Sequence, residues 1–290
     1  MANPATKLRP PESNPVPSLH PTYLLGHSSR AAEGLGRQAR QLNPLTRELF
    51  RRAGLTPGMR VLDVGCGVGD VAFLAADIVG PTGSVLGIDR SDESLWTAKR
   101  RALDEGRRNV AFSKVSLDDV VVHPPVDAVV GRLVLMHLRN PVASLASLIG
   151  SVKPGGLVIF HEYDLPSGVE SLPACPLFDS TVAAIRRAFE LSGHDLRMWL
   201  RLRDVLVRAG LQSIGTHWSS LIEVGDVTVA CELLAEVARS AAEAMTRAGY
   251  PANEGPTSED LAARLADEVR SAQAVVTWPS MVGAWGRVGR

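Results

Sequence analysis

Residues 61–70 read VLDVGCGVGD, and a second apolar run, VLGID, ends on Asp89 about 20 residues further on. An apolar strand that empties into a glycine turn, followed by a strand that ends in a carboxylate, is the βαβ arrangement that cradles a nucleoside. Two parallel strands need a crossover between them, so the pattern commits the chain to an α/β sheet. The glycine spacing narrows the ligand. A dinucleotide fingerprint runs Gly-x-Gly-x-x-Gly, but the frame from Gly65 and Gly67 meets Asp70 where a third glycine is needed, and Gly69 stands one place early. No Gly-Lys-Ser/Thr follows, which excludes a P-loop. A pyrophosphate needs backbone N–H groups and the positive end of a helix. A turn flanked by Asp63 and Asp70 suits a cation or an ammonium group better.

The rest of the chain repeats the alternation. Strands are expected at 60–65, 84–89, 110–115, 127–134, 157–163 and 211–223, with a last one inside AVVTWPSMVGAW near the end. Helices are expected at 69–79, 92–105, 177–191, 201–209, 226–248 and 258–272, with another restarting near Pro141. Ser91 stands in N-cap position for the second of them. Strands alternating with helices imply a doubly wound parallel sheet. Ahead of it, residues 28–53 carry an apolar stripe, and Pro44 is expected to divide them into two helices. Residues 1–20 are rich in proline, asparagine and serine and are expected to be disordered.

With 290 residues, 45% of them hydrophobic, the chain can bury one large core. A formal net charge of zero gives no global drive toward nucleic acid or an anionic membrane. The arginines between 30 and 52 are interrupted by Glu33 and Glu48 and read as a solvated helix face. Cys66, Cys175 and Cys231 are odd in number and widely spaced, which suggests neither a disulfide framework nor a zinc site. No secretory leader pattern and no apolar run of about 18 residues is present, so a cytoplasmic protein without membrane contact is expected.

Residues from about 57 to 165 resemble the core of class I S-adenosylmethionine (SAM)-dependent methyltransferases of the UbiE-like, small-molecule type. The resemblance rests on VLDVGCGVGD, on Asp89 ending strand 2, on DAVVGRLVLMHL at strand 4 and on KPGG at 153–156. It implies a seven-stranded Rossmann-like sheet of order 3-2-1-4-5-7-6 with the last strand antiparallel, N-terminal helices and helical lid insertions. The domains would be a helical cap at 21–56 and the SAM-binding unit at 57–290, with lids at about 165–200 and 226–256. It also implies SAM contacts at Asp63, Gly65, Cys66, Gly67, Asp89, Arg90, Leu117 and Arg132, with Asp89 on the ribose hydroxyls. Ser116 stands where the family usually has an acid near the adenine, which leaves that contact to Ser116, to Asp118 or to neither. Tyr23 is a candidate for closing over the cofactor, as is His27. Gly69 reads as a helix-packing glycine, and the Cys66 thiol as a small filler.

His137, just past strand 4, is the candidate general base, and Glu162, at the end of strand 5, the candidate for orienting a polar acceptor. The run HEYD does not supply a metal-binding HExxH pattern, so no metal is expected. The Asn/Asp-Pro-Pro-Tyr/Phe of amino-methyltransferases is absent after strand 4; Arg132 to Met136 stand there. The expected function is therefore O- or C-methylation of a small molecule by a monomer or homodimer. A methyltransferase-fold enzyme that performs a non-methylating rearrangement is the alternative, and an RNA methyltransferase a more distant one.

Overall fold

The computed structural model describes residues 29–117, 120–165, 168–223, 227–247 and 258–290. The segment 1–20, expected to be disordered, lies outside them. Helix α1 spans Ser29–Ala53. Strand β1 (Arg60–Val64) leads through the glycine turn into α2 (Asp70–Val79). Then come β2 (Ser84–Asp89), α3 (Asp92–Asp104), β3 (Val110–Lys114) and β4 (Val126–Arg132). A short 3₁₀ turn (Leu135–His137), α4 (Pro141–Ile149) and β5 (Val152–Asp164) complete the first half. The second half holds β6 (Ser171–Leu172), α5 (Pro176–Leu191), α6 (Met198–Arg208), β7 (Gln212–Ser219) and β8 (Ile222–Glu223). It closes with α7 (Thr228–Arg247), α8 (Leu261–Ser271), β9 (Val275–Thr277) and β10 (Ser280–Arg287).

The main sheet has the order β3-β2-β1-β4-β5-β10-β7. Counted along its own seven strands this is 3-2-1-4-5-7-6. Strands β1 to β5 pair in parallel, and β10 runs antiparallel to both β5 and β7. The central strands are buried on both faces, which is why they read as nearly unbroken apolar runs. One face packs Leu49, Phe50 and Ala53 of α1 and most of α2 against Val61, Val85, Val130 and Ile159. The other packs α4, α5, α6, α7 and α8 against Leu62, Val129, Val158 and Phe160. Ser91 caps α3, its hydroxyl accepting the Ser94 N–H at 3.2 Å.

Three elements differ from what the residues suggest. The expected break at Pro44 is absent: α1 continues through it. The residues on either side are tied to the sheet, because Arg132 Nη1 donates to Asn43 Oδ1 at 2.9 Å and to Thr46 Oγ1 at 3.1 Å. Arg40, whose carbonyl the proline deprives of its helical partner, is exposed. The expected strand at 211–223 is two strands, and the C-terminal one divides at Trp278 and Pro279. The pieces β8 and β9 join β6 in a second, three-stranded sheet. Strands of two or three residues carry no periodicity to read.

The α5–α7–α8 layer lies over the carboxyl edge of the main sheet. Its attachment is specific: both oxygens of Glu268 in α8 accept N–H groups of the first turn of α5, Leu177 and Phe178, at 2.9 Å each. A carboxylate there satisfies donors that no helix can bond internally.

Candidate active site

The glycine turn sits between β1 and α2 with Gly65, Gly67 and Gly69 all at positive φ (63°, 51° and 93°). A Cβ on Gly65 would stand 2.7 Å from Val134 Cγ2, and one on Gly69 3.0 Å from the rings of Phe112 and Phe73. Gly69 is thus a packing glycine. A Cβ on Gly67 would meet nothing within 4 Å, because that residue faces open cavity. The cavity measures about 350 Å³ and runs from the turn along the carboxyl ends of β1, β2 and β4 to the underside of α5 and α7.

Asp89 is held at the turn by two backbone donors. Its Oδ2 accepts the Gly67 N–H and its Oδ1 the Ser91 N–H, both at 2.9 Å. Each carboxylate oxygen has a further lone pair, enough for two adjacent hydroxyls. The two acids flanking the turn part company. Asp70 is bonded to Arg101 Nη2 at 2.8 Å, so its charge is spent within the fold. Asp63 is 1% exposed, and among the described residues neither of its oxygens accepts a well-aligned hydrogen bond. Burial drives its carboxyl well above the usual range, and the nearby Arg132 charge and Ala72 N–H offset this only in part.

Arg132, at the end of β4, is a buried guanidinium whose hydrogen bonds go to the neutral Asn43 and Thr46. Desolvation lowers its pKa, and it forms no salt bridge among the described residues. Arg132 thus lines this end of the cavity, and the Asp63 carboxyl lies buried behind the wall within electrostatic reach of it. Gln38 of α1 and Tyr163 of β5, joined by a hydrogen bond, complete its wall. Neither was singled out in the sequence, although Tyr163 follows from strand alternation once His161 is turned toward Thr46, 3.2 Å away.

Arg90, Ser116, Leu117 and Cys66 line the cavity, and Ser94 joins them from α3. Burial first, then Asp63 and Asp89, push the Cys66 thiol far up, so it carries no nucleophilic chemistry. Tyr23 and Asp118 lie outside the described residues, as does His27. Among the described residues no cluster of His, Cys, Asp or Glu is placed to hold a metal ion, and no helix is long and apolar enough to cross a membrane.

His137 lines the cavity where the glycine end meets the helical layer, its ring edge-on to that of His194 with centroids 4.7 Å apart. Burial, with His194 and Arg90 adding to it, lowers its pKa to about 3, so the imidazole is neutral at any physiological pH. Glu162 does not line the cavity. It lies behind the wall, where its Oε1 accepts the N–H groups of Val134 at 3.0 Å and Leu135 at 2.8 Å. These hold the turn that carries His137, entered through Leu133 at φ 56°.

Burial raises Glu162 from 4.5 to about 7, against the lowering effect of its backbone bonds. The folded state thus binds a proton more than the unfolded chain between those values. Stability is full below pH 4.5, falls as pH rises through 7, and is then about 3 kcal/mol lower. Glu162→Gln keeps an acceptor and removes this titration, so in chemical denaturation the variant's change in stability from pH 5 to pH 8 is expected to be more favourable than the wild type's by about 3 kcal/mol, the trend that remains being that of Asp63 and the buried histidines. Glu162→Leu strands two buried donors and is expected to cost about 2–4 kcal/mol at both.

A family model described as "Methyltransferase domain" matches residues 55–201. The chain is 32% identical over 139 residues to a ubiquinone biosynthesis O-methyltransferase of Albidiferax ferrireducens, covering 47% of this chain and 54% of that one. It is 28% identical over 178 residues to a ubiquinone/menaquinone biosynthesis C-methyltransferase of Ectopseudomonas mendocina, covering 57% and 70%. The chain thus spans about half the length of the O-methyltransferases it matches. Among solved structures, a putative methyltransferase from Bacillus halodurans superposes with a TM-score of 0.54 at 16% identity, covering 84% of this chain and 98% of that one. The [4+2]-cyclase SpnF superposes at 0.51 and 20% identity, covering 86% and 82%. These two likenesses speak for the fold alone. With the family model covering half of its residues and its sheet in the order expected for the fold, the chain belongs to the class I SAM-dependent methyltransferase domain family.

Proposed function

We propose that the protein transfers a methyl group from SAM to oxygen or carbon of a small-molecule acceptor. The observation that carries this reading is the glycine turn whose Gly67 N–H fixes the Asp89 carboxylate at the cavity wall, with the Arg132 guanidinium lining the same cavity and the buried Asp63 carboxyl behind it. In this reading Asp63 receives the ammonium of the methionine moiety and Arg132 its carboxylate. Asp89 receives the ribose hydroxyls, and Gly67, by lacking a side chain, leaves room for close approach. The Leu117 backbone and Ser116 lie where the adenine is read, with Arg90 along its face.

SAM supplies an activated methyl on a positively charged sulfur, so the protein need not create a leaving group. What the chain's residues do is hold the acceptor's nucleophilic atom in line with that methyl and keep water out. Positioning of this kind is worth about 7–11 kcal/mol in well-oriented systems. His137, expected as a general base with a pKa near neutral, is held near 3 by burial, so at the junction of the two halves it serves as a neutral hydrogen-bonding group toward the acceptor and is a poor proton acceptor.

The Asp63 environment supplies a test. Its raised pKa means that the empty site holds this carboxyl protonated to higher pH than usual, whereas an ammonium partner requires it ionised. SAM binding is therefore expected to release a proton, and affinity to rise with pH through the raised pKa. Calorimetric titration in two buffers of different ionisation enthalpy measures this directly. Asp63→Asn is expected to abolish the buffer dependence; proton uptake by the wild type, or a buffer dependence that survives the substitution, would count against the assignment.

A further inference from the structure

We propose that the part of the cavity beneath α5 and α7 selects an uncharged, hydrocarbon-rich acceptor that offers one hydrogen-bond-accepting oxygen to the indole N–H of Trp278. The proposal rests on the methyl-transfer reading, which places the cofactor at the other end of the same cavity. Charge is segregated along its length. Asp70, Asp89, Arg90 and Arg132 line it at the strand ends, whereas the residues contributed by α5, α7 and β9 carry no charge. They are led by Phe178, Val182, Ile185 and Phe189 on one side and Leu233 and Val237 on the other. An ionised group on the acceptor would lose its water there and meet no counter-ion, an arrangement that buried charges do not tolerate.

One polar group in this wall has nothing to bond. Trp278 lines the chamber, and its Nε1 is buried with no acceptor among the described residues. Its neighbour Thr277 is satisfied, since Oγ1 donates to Gly168 O at 2.9 Å and accepts the Glu170 N–H at 3.0 Å. The indole is carried on a fixed backbone: the Trp278 N–H donates to Leu221 O at 3.1 Å, and Pro279 follows. An indole N–H can only donate, so its partner on the acceptor is a carbonyl, ether or hydroxyl oxygen. A buried donor of this kind favours ligands that complete it over isosteres that do not.

Nile red, an uncharged dye with a ring carbonyl, serves as the probe, titrated by fluorescence into protein saturated with S-adenosylhomocysteine. Saturable, blue-shifted binding is expected. Trp278→Phe should weaken it roughly tenfold, the loss of one buried hydrogen bond. Val237→Asp, or Leu234→Asp at a second half-buried position, should weaken it by more than about tenfold in variants whose thermal melts show them folded. Methyl dodecanoate should displace the dye at least about tenfold better than dodecanoate does. Equal displacement by the two, or wild-type affinity in Trp278→Phe, overturns the proposal. Calorimetry with S-adenosylhomocysteine on the same proteins keeps the two readings apart. Lost dye binding with intact nucleoside binding places the effect in the acceptor chamber. A wild type that binds the dye but not S-adenosylhomocysteine contradicts the methyl-transfer reading instead.

Discussion

Replacing Asp89 with alanine is expected to weaken SAM binding at least tenfold while leaving the protein folded. The carboxylate is oriented before any ligand arrives, because the Gly67 and Ser91 N–H groups fix both of its oxygens. Two ribose hydroxyls donating to an ionised acceptor contribute about 1.5–3 kcal/mol each, so the loss of one alone accounts for about a tenfold change. The substitution also removes the acceptor of the Gly67 N–H. His137→Ala is the control, since the proposed reading sets its ring toward the acceptor, and SAM affinity there should stay within about threefold of wild type. Calorimetric titration of the three proteins decides the matter. Equal affinity in Asp89→Ala and wild type would mean that this acid does not face the cofactor.

Gly65→Ala is expected to be strongly destabilising. At φ 63° an alanine sits in the left-handed region, which costs about 1–2 kcal/mol. Its Cβ would also stand 2.7 Å from Val134 Cγ2. Val134 has little freedom to retreat, because its N–H is bonded to Glu162 Oε1 on the opposite side. Overpacking of a fixed neighbour adds about 1–3 kcal/mol. The sum, about 2–5 kcal/mol, lowers the melting temperature by roughly 5–15 °C. Gly67→Ala supplies the contrast: no atom opposes its Cβ, so the fold should lose only the conformational cost, while the methyl group occupies the space proposed for the cofactor. Differential scanning fluorimetry with and without SAM separates them. Gly65→Ala should melt early under both conditions, and Gly67→Ala should melt near wild type but lose the shift that SAM confers. A Gly65→Ala protein as stable as wild type would show that the turn is looser than its dihedrals imply.

The parts legible in the sequence are those written in contiguous residues. Buried parallel strands produce apolar runs, the turn produces its glycines, and Asp89 ends a strand, so β1, β2 and β4 and their carboxyl edge could be placed without coordinates. What could not be read depends on partners far apart in the chain. Pro44 predicts a break, and only the bonds from Arg132 to Asn43 and Thr46 explain why α1 continues. Asp63 and Asp70 look equivalent as flanking acids; Arg101, 31 residues from Asp70, removes one of them from the argument. Glu162 at a strand end suggests contact with an acceptor, whereas its oxygen is taken by the backbone of the neighbouring turn. Trp278 and the small sheet around it follow from strands too short to show alternation. The chamber joins β9 to α5 and α7, helices of the two segments expected as lids, and a three-residue strand carries no alternation that announces its part.

The central claim is that the acid-flanked glycine turn is built for the nucleoside amino acid SAM. A crystal structure with S-adenosylhomocysteine tests it most directly. The ribose hydroxyls are predicted at hydrogen-bonding distance from Asp89, the ammonium on Asp63 and the carboxylate on Arg132, with the sulfur pointing toward His137 and the chamber under α5 and α7. A ligand bound with its amino-acid end away from Asp63 and Arg132, or lodged in the apolar chamber while the turn stands empty, would contradict it.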